Sequence, residues 1–138
     1  MSSAAALILM AAMFHVAPAS AGSPKRVDGE VCYDQLVIGT VTSYIDGVSL
    51  SDLTGEVWLG ARYDLEVRVD EVLEGARLPG KITVRATMTS QHKTPVEMLF
   101  YVQWLDDGVY WAPDWLPVRR DSAGRQMRSE SPPPRCTS

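Results

Sequence analysis

The chain has 138 residues, 46% of them hydrophobic, which is enough for one domain with its own core and too little for several. Thirteen Lys and Arg stand against seventeen Asp and Glu, and the resulting net charge of −4 disfavours nucleic acid as a partner. Two cysteines and, once the apolar leader is set aside, one histidine leave no credible zinc site, and no metal or cofactor is expected.

In chain order, Ala4–Val16 is an apolar run that includes Leu7, Ile8, Leu9, Met10 and Phe14. Pro18 and the small-residue stretch Ala19-Ser20-Ala21 follow, which fits residues 1–21 as a secretory signal peptide cleaved near Ala21. The run is shorter than the roughly 18–20 residues a membrane-spanning helix needs, so no transmembrane anchor is expected. The missing basic n-region departs from the signal pattern, and a buried N-terminal helix is the competing reading. Export would leave 117 residues in a secreted or periplasmic protein, carrying every charge of the chain. Residues 22–31 read as a flexible leader, 32–128 as the folded domain and 129–138 as a Pro-rich tail.

Leu36–Tyr44 is nearly uncharged and rich in β-formers, as in a strand covered on both faces, with Gly39 marking a bulge or bend. Residues 46–56, DGVSLSDLTGE, read as a loop. From Tyr63 to Val69, Tyr63, Leu65, Val67 and Val69 face one side while Asp64, Glu66 and Arg68 face the other. Val72 then falls out of phase, which predicts a curl or bulge at Asp70-Glu71 before a turn at Gly75, as a small closed barrel requires.

Lys81–Thr87 alternates again, residues 88–97 read as a polar loop, and Met98–Leu105 is a strongly apolar strand. Asp106-Asp107-Gly108 is a hairpin turn from which Val109–Trp111 returns. Val118–Arg120 and Arg125–Met127 flank a turn in a small terminal hairpin, and the tail ends at Cys136. The expected class is all-β: a five-stranded OB-fold-like barrel, up to seven strands in all, with a C-terminal hairpin and tail. In an oxidising compartment Cys32 and Cys136 most simply form one disulfide that ties down the tail, the alternative being two unrelated free thiols.

Three segments carry a resemblance. Asp34–Val41, Tyr63–Gly75, and Lys81–Arg85 followed by Met98–Val102 resemble the strands of netrin-module and tissue-metalloproteinase-inhibitor-like OB-fold domains, including bacterial exported relatives. The resemblance spans roughly residues 32–112 and implies a barrel used for binding. Those inhibitors chelate a protease's zinc through a free N-terminal cysteine. Here the expected mature start is Gly22, Cys32 lies inside the chain, and no Cys-x-Cys pair exists, so that mechanism does not carry over.

Catalytic signals are sparse. His92, in the polar loop, is the only histidine after the apolar leader, and it reads as a ligand contact or a solvated side chain. A triad from Ser90, His92 and Asp106 lacks a nucleophile elbow. The adjacent acids Asp70-Glu71 and Asp106-Asp107 read as turn and solubility features. Trp104, Tyr110, Trp111 and Trp115 cluster around one hairpin. Trp104 falls on the face of Phe100 and Val102, and Tyr110 and Trp111 on opposite faces, so at least one ring is expected to meet solvent. Exposed, they would anchor a protein partner or stack on a sugar; otherwise they cap the barrel end. The expectation is a non-catalytic module that binds another exported or envelope protein. A glycan-binding or hydrolytic envelope protein is the alternative. Trp111, Trp115, Tyr110 and His92 are the candidate contacts, at the barrel end formed by loops 46–56 and 88–97 or on the Trp111/Trp115 surface.

Overall fold

A computed structural model describes residues 23–49 and 60–137. The signal-like segment and residues 50–56 of the expected loop lie outside the described residues. Among the described residues seven strands are formed: β1 (Arg26–Val27), β2 (Glu30–Val31), β3 (Gln35–Ser49), β4 (Ala61–Glu74), β5 (Lys81–Met88), β6 (Val96–Trp104) and β7 (Tyr110–Pro117). β1 and β2 make a separate two-stranded sheet, and the other five close a barrel in the order β3-β4-β5-β7-β6, with β6 pairing back onto β3. Neighbours are antiparallel except β5 and β7, which run parallel. The chain is all-β, with the five-stranded OB-fold-like barrel that its alternating patterns predict.

The barrel interior is filled by the inward rows of alternating strands. These are Val37 and Val41 of β3, Leu65 and Val67 of β4, Ile82 to Met88 of β5, Met98 to Val102 of β6, and Ala112 of β7. A second, outer core joins Tyr33, Leu36, Ile38, Leu99 and Tyr101, with Leu73, Leu116 and Val118 packed against it. The starts of β3 and β6 are therefore buried on both faces, which explains why Leu36–Ile38 and Met98–Val102 are continuous apolar runs.

The phase break in β4 has a direct geometric cause. Gly39 pairs with Val69 but Ile38 pairs with Glu71, leaving Asp70 without a partner; one step on, Leu73 is skipped between Val72 and Glu74. The extra residue at Asp70 turns Val72 back toward the interior core. Thr42 and Ile45 are the matching unpaired residues on β3. Bulges bend a strand and increase its twist, and four in one ladder coil β3 and β4 around the barrel. Gly39 sits at one of these shifts, where a Cβ would press on the Val67 side chain and lie 3.0 Å from the Arg68 carbonyl oxygen.

Three expectations are corrected. Residues 46–49 are not loop: β3 continues through Asp46, Gly47, Val48 and Ser49, paired with Asp64, Tyr63, Arg62 and Ala61. The turn former Gly47 fits a strand because its missing Cβ leaves room for the Tyr63 ring, whose nearest atom would lie 2.7 Å away. The returning strand does not stop at Trp111 but runs through Pro113 to Pro117. β7 pairs with β5 only at Val84–Tyr110 and Arg85–Trp111, so beyond Trp111 that edge has no neighbour and residues lacking an N–H cost no ladder bond there. The expected flexible leader contains the β1–β2 hairpin, turned at Asp28 (φ 51°) and Gly29 (φ 83°), the left-handed pair of a type I′ turn. This hairpin is held by Gln103, fully buried in β6. Its Nε2 donates to the carbonyls of Lys25 (3.0 Å) and Cys32 (2.8 Å), and its Oε1 accepts the Lys25 N–H (2.8 Å).

The C-terminal segment forms the expected small hairpin. The Met127 N–H donates to the Arg119 carbonyl (2.8 Å), and the Asp121 carboxylate accepts the N–H groups of Ala123 and Arg125 (2.9 Å each). The tail then lies beside Tyr33, whose N–H donates to Pro134 (3.0 Å) and whose carbonyl accepts from Cys136 (2.8 Å). Cys32 and Cys136 are joined in a disulfide, their Cα atoms 4.9 Å apart, and no free cysteine is present among the described residues.

Candidate functional site

The barrel has two mouths. One gathers the 75–80 loop and the 105–109 turn; the other gathers the 89–95 loop and the far ends of β3 and β4. Trp104 ends β6 at the first mouth. Alternation aims it inward after Phe100 and Val102, but the strand stops there, and the indole emerges 50% exposed. Tyr110 opens β7 opposite it, with the two ring centroids 5.1 Å apart at 65°. The pair lines a recess of about 370 Å³ with Ile82, Thr83, Lys81 and Glu66. Lys81 and Glu66 are ion-paired at 2.9 Å, and Thr42 donates to the same carboxylate at 3.2 Å. The Lys81 hydrogen bond, then that of Thr42, holds Glu66 below the ordinary carboxylate value. Burial pushes the Tyr110 hydroxyl up. The recess offers aromatic surface, one cation and one carboxylate, with neither a histidine nor a thiol in its wall.

The four candidate residues chosen from sequence do not form one site. Tyr110 belongs to this recess. His92 and Trp115 meet at the other mouth, where their rings lie edge-on, 5.4 Å apart. There the His92 N–H donates to the Tyr44 hydroxyl (2.7 Å), and a hollow of about 390 Å³ is lined by Tyr44, Gly47, Tyr63 and Gln91. The His92 Nδ1 is buried without a partner among the described residues. Trp115 packs against the interior core, and its Nε1 donates to the Thr87 carbonyl (3.0 Å), spanning the gap where β7 has left β5. Trp111 is half-buried in the wall beside Arg85 and Gln103, its Nε1 unpartnered among the described residues.

His92 and Asp106 are separated by the whole nine-residue length of β6, about 30 Å of strand, so the paper triad of Ser90, His92 and Asp106 does not assemble. The acidic pairs have structural partners instead. Asp107 bonds Arg85 at 3.0 Å, and Arg85 also grips Asp64 through two bonds of 2.8 and 3.1 Å, joining β4, β5 and the β6–β7 turn. The Asp64 hydrogen bond is the main reason the Arg85 guanidinium is held charged more firmly than usual. Asp70 accepts from Arg68 (3.0 Å) and Thr40 (2.6 Å). Glu74 receives Arg135 (2.8 Å), Arg128 and the Tyr33 hydroxyl (2.9 Å), fastening the tail over the outer core.

Trp104, the aromatic ring that meets solvent most among the described residues, was not among the sequence candidates. Its signal was position: an inward-facing aromatic that immediately precedes a turn must lie at a barrel mouth. Among the described residues no group of three or more His, Cys, Asp or Glu side chains is placed to hold a metal ion, and no helix is long and apolar enough to cross a membrane. No family model, curated protein or solved structure matches this chain.

Proposed function

We propose that this is a small exported, non-catalytic binding domain that docks another exported or envelope protein through the Trp104–Tyr110 recess. The observation that carries the reading is the half-exposed Trp104 indole braced edge-on by Tyr110 above the Lys81–Glu66 pair. A rigid aromatic anchor with a polar rim is the usual composition of an energetic centre in a protein interface. The recess involves the second and third barrel strands and the turn between the fourth and fifth, the region OB-folds commonly use for ligands. Export is supported by the N-terminal apolar run with its small-residue cleavage pattern, and the disulfide is compatible with it.

The test is capture of a partner from envelope extract by the tagged protein. Trp104→Ala is expected to cost about 2 kcal/mol or more of binding, roughly thirtyfold. Equal capture by wild type and variant would remove the recess from the interface. A glycan is the second reading, favoured by the Thr83 hydroxyl and the Lys81–Glu66 pair beside the indole, the polar groups a stacked sugar uses. Retention on soluble polysaccharide that Trp104→Ala abolishes would select it.

A further inference from the structure

The Trp104 recess opens onto an unfinished edge of the sheet. β5 runs from Lys81 to Met88, but its pairing with β7 is confined to Val84–Tyr110 and Arg85–Trp111. The stretch Lys81–Thr83 therefore has β4 on one side and the recess on the other, where all three residues line the wall. Which of their peptide groups face the recess follows from the antiparallel ladder, whose bonds alternate residue by residue. The Val69 N–H donates to the Gly80 carbonyl at 2.8 Å, and the β4–β5 register runs without a shift from Arg68–Lys81 to Ala61–Met88. Gly80, Ile82 and Val84 are thus turned toward β4, and Lys81, Thr83, Arg85 and Thr87 away from it. The Thr87 carbonyl agrees, since it accepts the Trp115 Nε1–H at 3.0 Å from the β7 side. By the geometry of a parallel ladder, the Val84–Tyr110 pairing takes the Thr83 carbonyl. The Thr83 N–H and both peptide groups of Lys81 are left facing the recess with no partner among the described residues.

We propose that the recess binds an extended polypeptide segment, which adds to the Lys81–Thr83 edge of β5 as a short strand and lays an apolar side chain on the Trp104–Tyr110 rings. The assignment rests on the recess being the binding site and specifies what fills it. The backbone selects the class of occupant. Peptide groups that recur at every second residue of an edge, about 7 Å apart, match the peptide groups of another strand. β7 already uses the next two residues of the same edge, so the added segment lies in line with an existing strand. Its side chains alternate, so every second one meets the half-exposed indole and the others point away from the rings. Charge is not selective here, because Lys81 and Glu66 are paired with each other at 2.9 Å. A free edge this short, carrying a lysine, is of the kind that resists pairing with whole sheets, which favours a short segment over a second copy of the barrel.

The experiment is an NMR titration of the isotope-labelled, disulfide-bonded protein with a capped pentapeptide alternating threonine and leucine. Two further peptides of the same sequence are methylated on alternate backbone nitrogens, one in each frame. Saturable shifts are expected at the Lys81 and Thr83 amides and at the Trp104 indole N–H. Binding should be about tenfold weaker or more when the frame facing β5 is methylated and nearly unchanged in the other frame. It should be lost in Trp104→Ala, checked for an unchanged melting midpoint. Binding that needs Trp104 but is indifferent to methylation in both frames would keep the recess and overturn strand addition. Binding of a soluble oligosaccharide at the recess but not of the peptide would overturn it too and make the occupant a glycan. No shift at millimolar peptide, or shifts that survive Trp104→Ala unchanged, would also overturn it, whereas Trp104-dependent capture from envelope extract tests the recess by itself.

Discussion

Gln103 shows how one buried side chain can stand in for a strand. Its amide meets the Lys25 peptide group in two hydrogen bonds and the Cys32 carbonyl in a third, so every hydrogen of its Nε2 is used in a site with no solvent. Gln103→Leu keeps the size but strands three backbone groups. It is expected to cost about 1–3 kcal/mol in urea unfolding and to speed hydrogen exchange at Lys25. Glu74 works at the same scale on the tail. Burial pushes its carboxyl up, but hydrogen bonds from Tyr33 and Arg128 and the charges of Arg128 and Arg135 outweigh this and leave it below its ordinary 4.5. Ionised Glu74 therefore contributes stability that is complete above that value and is lost as pH falls through the lower folded-state pKa. Tyr33 is shifted the other way, above 10.0, mainly by burial and then by its bond to Glu74, so its contribution is complete below that value and lost as pH rises through the folded one. Melting curves of wild type and Glu74→Gln should converge in acid and separate at neutral pH; a constant gap across the range would mean that the charge of Glu74 does not matter. Neither residue could be read from sequence. Gln103 is a polar interruption in an apolar run and Glu74 one of several acids, and only the tertiary partners assign them work.

Elements were more legible, because a strand's period of two is written in consecutive residues. The bulge at Asp70 showed itself as a slipped hydrophobic, Val72, and the structure supplies the reason: one unpaired residue restores the inward face. The extra length of β3 and β7 was hidden by Gly47 and by Pro113 and Pro117, residues that ordinarily end strands. Whether they do depends on what lies alongside, the Tyr63 ring in one case and an empty edge in the other. Two predictions follow from these ladders. Gly39→Ala should destabilise by about 1–3 kcal/mol, since its methyl group meets Val67 and the Arg68 carbonyl, and Val67→Ala should recover part of that loss in a double-mutant cycle. Trp115→Phe removes the bond that spans the far half of the β5–β7 gap, from Nε1 to the Thr87 carbonyl. A loss of about 1 kcal/mol, with faster exchange confined to Thr87–Met88 and Ala112–Leu116, is the expected result.

At the scale of the molecule, the two cores divide the labour. The interior core closes the barrel, while the outer one needs the tail and the disulfide to cover it. Class, barrel and the Cys32–Cys136 pairing were all legible, because a repeated alternation and a count of two thiols leave few arrangements. The candidate site residues were only partly so: the aromatic cluster was visible, but its division between two mouths depends on where each strand ends, and Trp104 was passed over for that reason. Closing a loop of 104 positions is worth up to about 4–5 kcal/mol in the chain-entropy description, so Cys32→Ser/Cys136→Ser should melt markedly lower, and unfolded, unreduced protein should show no reactive thiol.

That same bond makes nearly the whole domain a covalent ring. A protease that cuts once inside it, for example at the exposed turn residues 106–108, opens the ring without separating the fragments, which remain linked and held by the sheet. Nicked protein should therefore migrate as a single species on a non-reducing gel and split into two pieces only after dithiothreitol, so a clipped population would pass unnoticed unless the sample is reduced first.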